Sequence, residues 1–178
     1  MDTDTILQSG ETLLKPWIVE TKQPESNRLD VYISAANLLA AVQSLANAHW
    51  GHLSAITGLD RPAPAEAQPA VKPGEPAVEA PITETPPPDG KIEVLYHFCQ
   101  GAAILTVRVG LSYSQPVIPS ICSVAPAATL YERELMEMFG IVVEGTPVKQ
   151  KLLLPDDWPV GIFPLRKSFT GLTDKSAT

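Results

Sequence analysis

The chain has 178 residues, enough to bury one ordinary hydrophobic core as a single domain with an appendage. Its formal charge of −7 and its 6% aromatic content exclude a basic phosphate-binding surface and a base-stacking platform, so no nucleic-acid partner is expected. No apolar run approaches the ~20 residues of a membrane span. The acidic start Met1 to Leu7 also lacks the basic and apolar regions of a signal peptide, so a soluble cytoplasmic protein is expected.

In chain order, the alternation of Arg28 to Ile33 predicts a strand. Ser34 is a suitable N-cap for a helix over Ala35–Asn47 that places Leu38, Leu39, Val42 and Leu45 on one side. His52 to Gly58 predicts a second strand. Residues 62–89 then change character, with nine of the 18 prolines and five acids (Glu66, Glu75, Glu79, Glu84, Asp89) against Lys72. Proline fixes φ and lacks a donor, so this stretch is expected to be a disordered, polyproline-like insertion. Lys91–Cys99 and Ala102–Gly110 predict a hairpin turning at Gln100-Gly101, followed by a short strand over Val117–Cys122. A last helix opens near Pro126 and ends at Gly140, the residue that readily takes the left-handed C′ conformation. Tyr131, Leu135, Met138 and Phe139 share one of its faces. The order predicts an α+β domain: a mostly antiparallel sheet with helices on one face, formed by residues 1–61 and 90–150. Residues 151–178, with Leu152 to Leu154, Ile162, Phe163 and Leu165 among several prolines, read as an extended C-terminal docking arm.

The densest chemistry lies on the last helix. Glu134 and Glu137 are neighbours three apart, and Arg133 and Glu137, four apart, can pair. Paired carboxylates can serve as acid and base, yet no nucleophile or metal ligand stands beside them in sequence. Three readings follow: a solvated face, a free-standing carboxylate enzyme using Glu132, Glu134 and Glu137, or a face set against a partner subunit. Arginine suits the last, because its fork bonds carboxylates bidentately. His49-Trp50-Gly51-His52 reads as a turn with a half-buried indole, and His97 as a sheet-face residue. Asp156-Asp157 reads as an Asx-type turn in preference to a cation site, which would need more oxygen ligands. Cys99 and Cys122, without a CxxC pair, read as buried apolar thiols. No phosphate-loop or dinucleotide fingerprint occurs.

Tyr131-Glu-Arg-Glu134, Glu137, Phe139-Gly-Ile141, Gly145 to Pro147 and Pro164-Leu-Arg-Lys167 together resemble the respiratory complex I 30-kDa subunit, a component of NADH:quinone oxidoreductase. The resemblance extends more weakly over Arg28–Leu59 and Lys91–Ser123. It implies a non-catalytic subunit without cofactors, with iron–sulfur clusters held by partner subunits. The implied partners are a hydrogenase-like large subunit and a small iron–sulfur subunit, and the implied place is the cytoplasmic face of a membrane. By the same implication Tyr131, Glu132, Arg133, Glu134, Glu137, Phe139, Pro164, Leu165, Arg166 and Lys167 dock the partner. Thr146 stands where the family commonly has His, and Ser168 where it commonly has Asp. The Leu154–Pro159 block with Gly161–Pro164 is closer to the branch in group 4 energy-converting [NiFe] hydrogenases and formate hydrogenlyases. Their large subunit keeps two CxxC pairs that the quinone-reducing version lacks.

Overall fold

A computed structural model describes residues 2–62 and 90–172. The elements run α1 (Thr3–Leu14), β1 (Glu20–Glu25), β2 (Arg28–Ile33), α2 (Leu38–Asn47), β3 (His52–Arg61), β4 (Lys91–Gln100), β5 (Ala103–Ser112), β6 (Val117–Pro119), α3 (Ala128–Phe139) and β7 (Val142–Glu144). Five strands form one sheet in the order β1-β2-β5-β4-β3, in which only β2 and β5 pair in parallel. β6 and β7 form a separate parallel pair. The fold is the expected α+β arrangement of a mostly antiparallel sheet with helices on one face. Strands β3 and β4 pair from His52↔Cys99 to Arg61↔Lys91, so the segments on either side of residues 63–89 share one sheet. The expected insertion itself lies outside the described residues, apart from Pro62.

The sheet separates two chemistries. Leu29, Val31, Ile33, Ile92, Val94, Tyr96, Phe98, Leu105, Val107 and Val109 are all buried and point to the helical side. There Gly10 of α1 lets that helix touch Leu105 and Trp50, and Gly58 of β3 makes room for the Phe139 ring of α3. The alternate residues (Arg28, Asp30, Glu93, His97, Thr106 and Arg108) point to the other side and bond to one another.

Several local expectations are corrected. α1 and β1 lie outside the sequence expectations, although α1 carries readable signals: an amphipathic pattern and an Asp2 cap, which accepts the Asp4 amide at 2.7 Å. β1 is an entirely exposed edge strand whose register slips between Lys22 and Glu25, where Pro24 cannot donate to the ladder. The predicted helix over Ala35–Asn47 begins with a 3-10 turn, Ala35–Asn37, and the Ser34 side chain makes no cap bond. Leu39 is exposed, off the stripe of Leu38, Val42 and Leu45. The hairpin turns at Gly101-Ala102, one residue later than expected, because Gly101 has φ 59° and Gln100 still pairs with Ala103. The strand at Val117 stops at Pro119. Pro126 lies before the first turn of α3. Trp50 is buried outright, its indole donating to Ile6 O and Ser9 Oγ on α1. Cys122 is buried as expected, whereas Cys99 is only half-buried, on the side of the sheet away from the helices.

Candidate docking site on α3 and the C-terminal arm

Helix α3 is laid over β3 by its apolar stripe, with Leu135, Met138 and Phe139 buried. Tyr131 secures it by donating its hydroxyl to Ser54 O at 2.9 Å. At the far end Gly140 takes φ 66°, so its amide and that of Ile141 turn back to the carbonyls of Met136 and Leu135. A side chain at Gly140 would also run into the ring of Phe163.

The charged residues of α3 divide into three environments. Glu132 is 1% exposed and faces inward. Its carboxylate accepts from Ser120 Oγ at 2.8 Å, from the Ile121 amide at 2.8 Å and from Cys122 Sγ at 3.1 Å, pinning the loop that follows β6. Burial, reinforced by the Glu132 carboxylate, pushes the Cys122 thiol up, which keeps the sulfur a donor. Glu132 is therefore not displayed to a partner, a correction to its expected place on the docking face. Its spacing to Leu135 and Phe139, three and seven residues, puts it on the apolar stripe, and that signal was present in the sequence.

Arg133 and Glu137 do not pair with each other. Arg133 donates through Nε to Gln150 O at 2.8 Å and through a terminal nitrogen to Lys151 O. Glu137 accepts the amides of Leu152 and Leu153, the latter at 2.8 Å. Together they clamp the start of the arm to the helix by matching a guanidinium to carbonyls and a carboxylate to amides. Glu134, half-exposed, has no hydrogen-bond partner among the described residues.

The arm returns to α3 at Pro164 to Lys167. The Leu165 amide donates to Met138 O at 3.1 Å, and Arg166 Nε donates to Phe139 O at 2.7 Å. A cation at the carbonyl end of a helix is favourably placed, and the Arg166 guanidinium also stacks on the rings of Tyr113 and Phe163 at 5.0 and 4.9 Å. The Lys167 amide donates to Asp60 Oδ2 at 2.7 Å, an oxygen that also accepts from Tyr113 OH at 3.0 Å. Asp60, Tyr113 and Ser120 were missed from sequence, because each meets its partners through the fold. Lys151 was missed although its partners are local: it donates to the carbonyls of Pro155 and Asp156 at 2.9 and 3.0 Å. The turn before Trp158 is closed by its main chain, Trp158 N to Pro155 O, in place of the expected aspartate side chain. Among the described residues no group of three or more His, Cys, Asp and Glu could hold a metal ion. Chemically, the oxygens of Glu132 and Glu137 are taken up by fixed donors, an arrangement that fastens chain segments and leaves no free carboxylate pair for proton transfer.

Residues 31–175 match the family described as respiratory-chain NADH dehydrogenase, 30 Kd subunit. The chain is 42% identical over 84 residues to a subunit of the NADH-quinone oxidoreductase of Chloroherpeton thalassium, covering 46% of this chain and 34% of that one. It is 41% identical over 71 residues to the membrane-bound hydrogenase subunit beta of Pyrococcus furiosus, covering 40% and 41%. The chain spans 11% to 56% of the length of four curated relatives to which it is 40% identical or more over the matched stretch. Its fold is similar to a chain in the structure of the membrane-bound sulfane sulfur reductase, an archaeal respiratory membrane complex, with TM-score 0.59, 21% identity and coverage of 92% and 84%. The match over residues 31–175 takes in the whole of α3 and the described arm, and by it this chain belongs to the 30-kDa subunit family of the respiratory-chain NADH dehydrogenase.

Proposed function

We propose that this chain is a non-catalytic, cofactor-free subunit of a complex-I-like redox assembly that docks to a hydrogenase-like large subunit. Its contribution is positional: it holds the partner so that the geometry of electron transfer between clusters in other subunits persists. One observation carries this reading. Of eight large apolar side chains exposed among the described residues, six (Leu130, Val142, Leu153, Val160, Leu165 and Leu172) lie on α3, β7 and the arm. Val160 is fully exposed at the tip of an arm turn, and Leu153 is 61% exposed. Exposed apolar groups concentrated on these elements are what a surface covered by another protein would present. Main-chain groups at both ends of the arm are bonded to Arg133, Glu137 and Met138 of α3, so the backbone there is already in place when a partner arrives.

A second reading keeps the docking role and changes the machine to a membrane-bound group 4 [NiFe] hydrogenase. The Asp156-Asp157-Trp158 block and the similarity to a hydrogenase subunit beta favour it. Among the described residues no helix is long and apolar enough to cross a membrane, so attachment through partner subunits fits either machine. Affinity purification of the tagged chain from its native membranes tests both. A co-purifying large subunit supports docking, and two CxxC pairs in that subunit select the hydrogenase. A chain recovered without any large subunit contradicts both readings.

A further inference from the structure

A buried carboxylate on β3 lies under the tip of the arm, apart from the clamp that Arg133 and Glu137 make at its start. Because β3 alternates, Asp60 shares the helical side of the sheet with Ile56 and Gly58, whereas Arg61 points to the other side. Asp60 and Tyr113 are each 7% exposed. Oδ2 of Asp60 does all the bonding, accepting from the Lys167 amide at 2.7 Å and from Tyr113 OH at 3.0 Å. Oδ1 is buried without a donor, and no cation pairs with this carboxylate among the described residues.

Stability alone does not select such a group. A buried carboxylate with one idle oxygen carries a desolvation cost that its bonds do not offset in full. An apolar pair of similar shape at Asp60 and Tyr113 would be close to neutral, or stabilising. Glu132 and Glu137 differ, because both oxygens of each are bonded.

What Asp60 achieves is placement. Through one oxygen it joins β3, the residue after β5 and the arm. Tyr113, held by that oxygen, offers its ring to the Arg166 guanidinium at 5.0 Å, and Arg166 Nε donates to Phe139 O at the end of α3. Burial and the Asp60 carboxylate push the Tyr113 hydroxyl up, which keeps it a donor. Arg166 and Lys167 are thus set by a residue more than 100 positions upstream.

We infer that Asp60 is the positioning residue of the arm's tip, fixing Arg166 and Lys167 in the place where the large subunit meets them. The inference rests on the docking reading for its purpose, and it assigns a part in docking to a residue of the sheet.

Amide exchange in the full-length chain, together with recovery of the large subunit from native membranes, tests it. Asp60→Leu/Tyr113→Phe removes the acceptor and the hydroxyl together, and the amide of the exposed Lys167 can turn to water. This variant is expected to unfold no earlier than the parent and to exchange its Lys167 amide about tenfold faster. The Leu152 and Leu153 amides should be unchanged, and several-fold less large subunit should be retained. Asp60→Asn still presents an oxygen to both donors, so slow Lys167 exchange and large-subunit recovery should be preserved. Parent-like Lys167 exchange in the Leu/Phe variant would overturn the inference. So would a lowered unfolding midpoint, since Asp60 would then serve stability, or undiminished recovery of the large subunit beside fast Lys167 exchange. A parent chain that retains no large subunit contradicts the docking reading, while the Lys167 amide still decides whether Asp60 seats the arm, so the two failures are distinguishable.

Discussion

On α3, Glu132, Arg133 and Glu137 bond to main-chain groups, a serine and a cysteine of their own chain; on the open side of the sheet, Arg28, Asp30, Arg108, Glu93, Arg61 and Lys91 bond to one another. A charge that satisfies a backbone amide or carbonyl fixes where a segment runs, and removing it leaves a buried group without a partner. A cation at the outer end of an ion row fixes less where its head is half exposed, as in Arg61 and Lys91, because solvent can replace its partner. Charge density alone therefore does not identify a docking surface. What the α3 charges do is lay the arm in place, and the arm then presents apolar side chains.

Replacing Glu132 is the harshest test of this contrast. Glu132→Ala orphans the Ser120 hydroxyl, the Ile121 amide and the Cys122 thiol at once. A loss of about 3–5 kcal/mol in urea unfolding is expected. Gly140→Ala comes next, at about 2 kcal/mol, from the left-handed backbone and the displaced Phe163 ring. Its local signature is faster amide exchange at Leu165, whose N–H is bonded to Met138 O. Glu137→Ala costs about 1–2 kcal/mol and acts at the start of the arm, so hydrogen exchange should quicken at Leu152 and Leu153 while the sheet amides stay protected.

The ion row should give the smallest neutral-pH effect and a distinct pH dependence. Burial alone would raise the Glu93 carboxyl, but Lys91, Arg61 and Arg108 take it down from 4.5 to about 2. A depressed carboxyl stabilises the fold fully above about pH 4.5 and loses that contribution as pH falls through about 2. Glu93→Gln is thus expected to lower stability by about 1 kcal/mol at pH 7, with its thermal unfolding curve converging on the parent's as the pH approaches 2. A constant gap across the acid range would show that Glu93 acts by shape and not by charge.

Much of this architecture was legible in the sequence, for reasons that particular residues make plain. Period-2 alternation marked β2, β4 and β5, and Gly140 marked the end of α3. Where the code is local, reading it works. β1 escaped because Glu20 to Glu25 is a wholly exposed edge strand with no apolar alternation to detect. The candidate site was legible in its residues and not in their partners. Arg133 and Glu137 lie four apart and looked like a pair, but carbonyls and amides 15 to 18 residues away compete better for them. Asp60 receives Lys167 from 107 residues away, a contact that no spacing rule anticipates. Glu132 is the instructive miss: its place on the apolar stripe was visible, and its charge obscured it.

The central claim is that the outer, apolar side of the self-fastened arm meets the large subunit. The most direct measurement is recovery of that subunit with a tagged Val160→Asp/Leu165→Asp chain, whose two substituted side chains are fully exposed and 51% exposed and so leave the fold intact. The account predicts a chain with the parent's unfolding midpoint that no longer retains the large subunit. Undiminished recovery of the large subunit with this folded variant would contradict it.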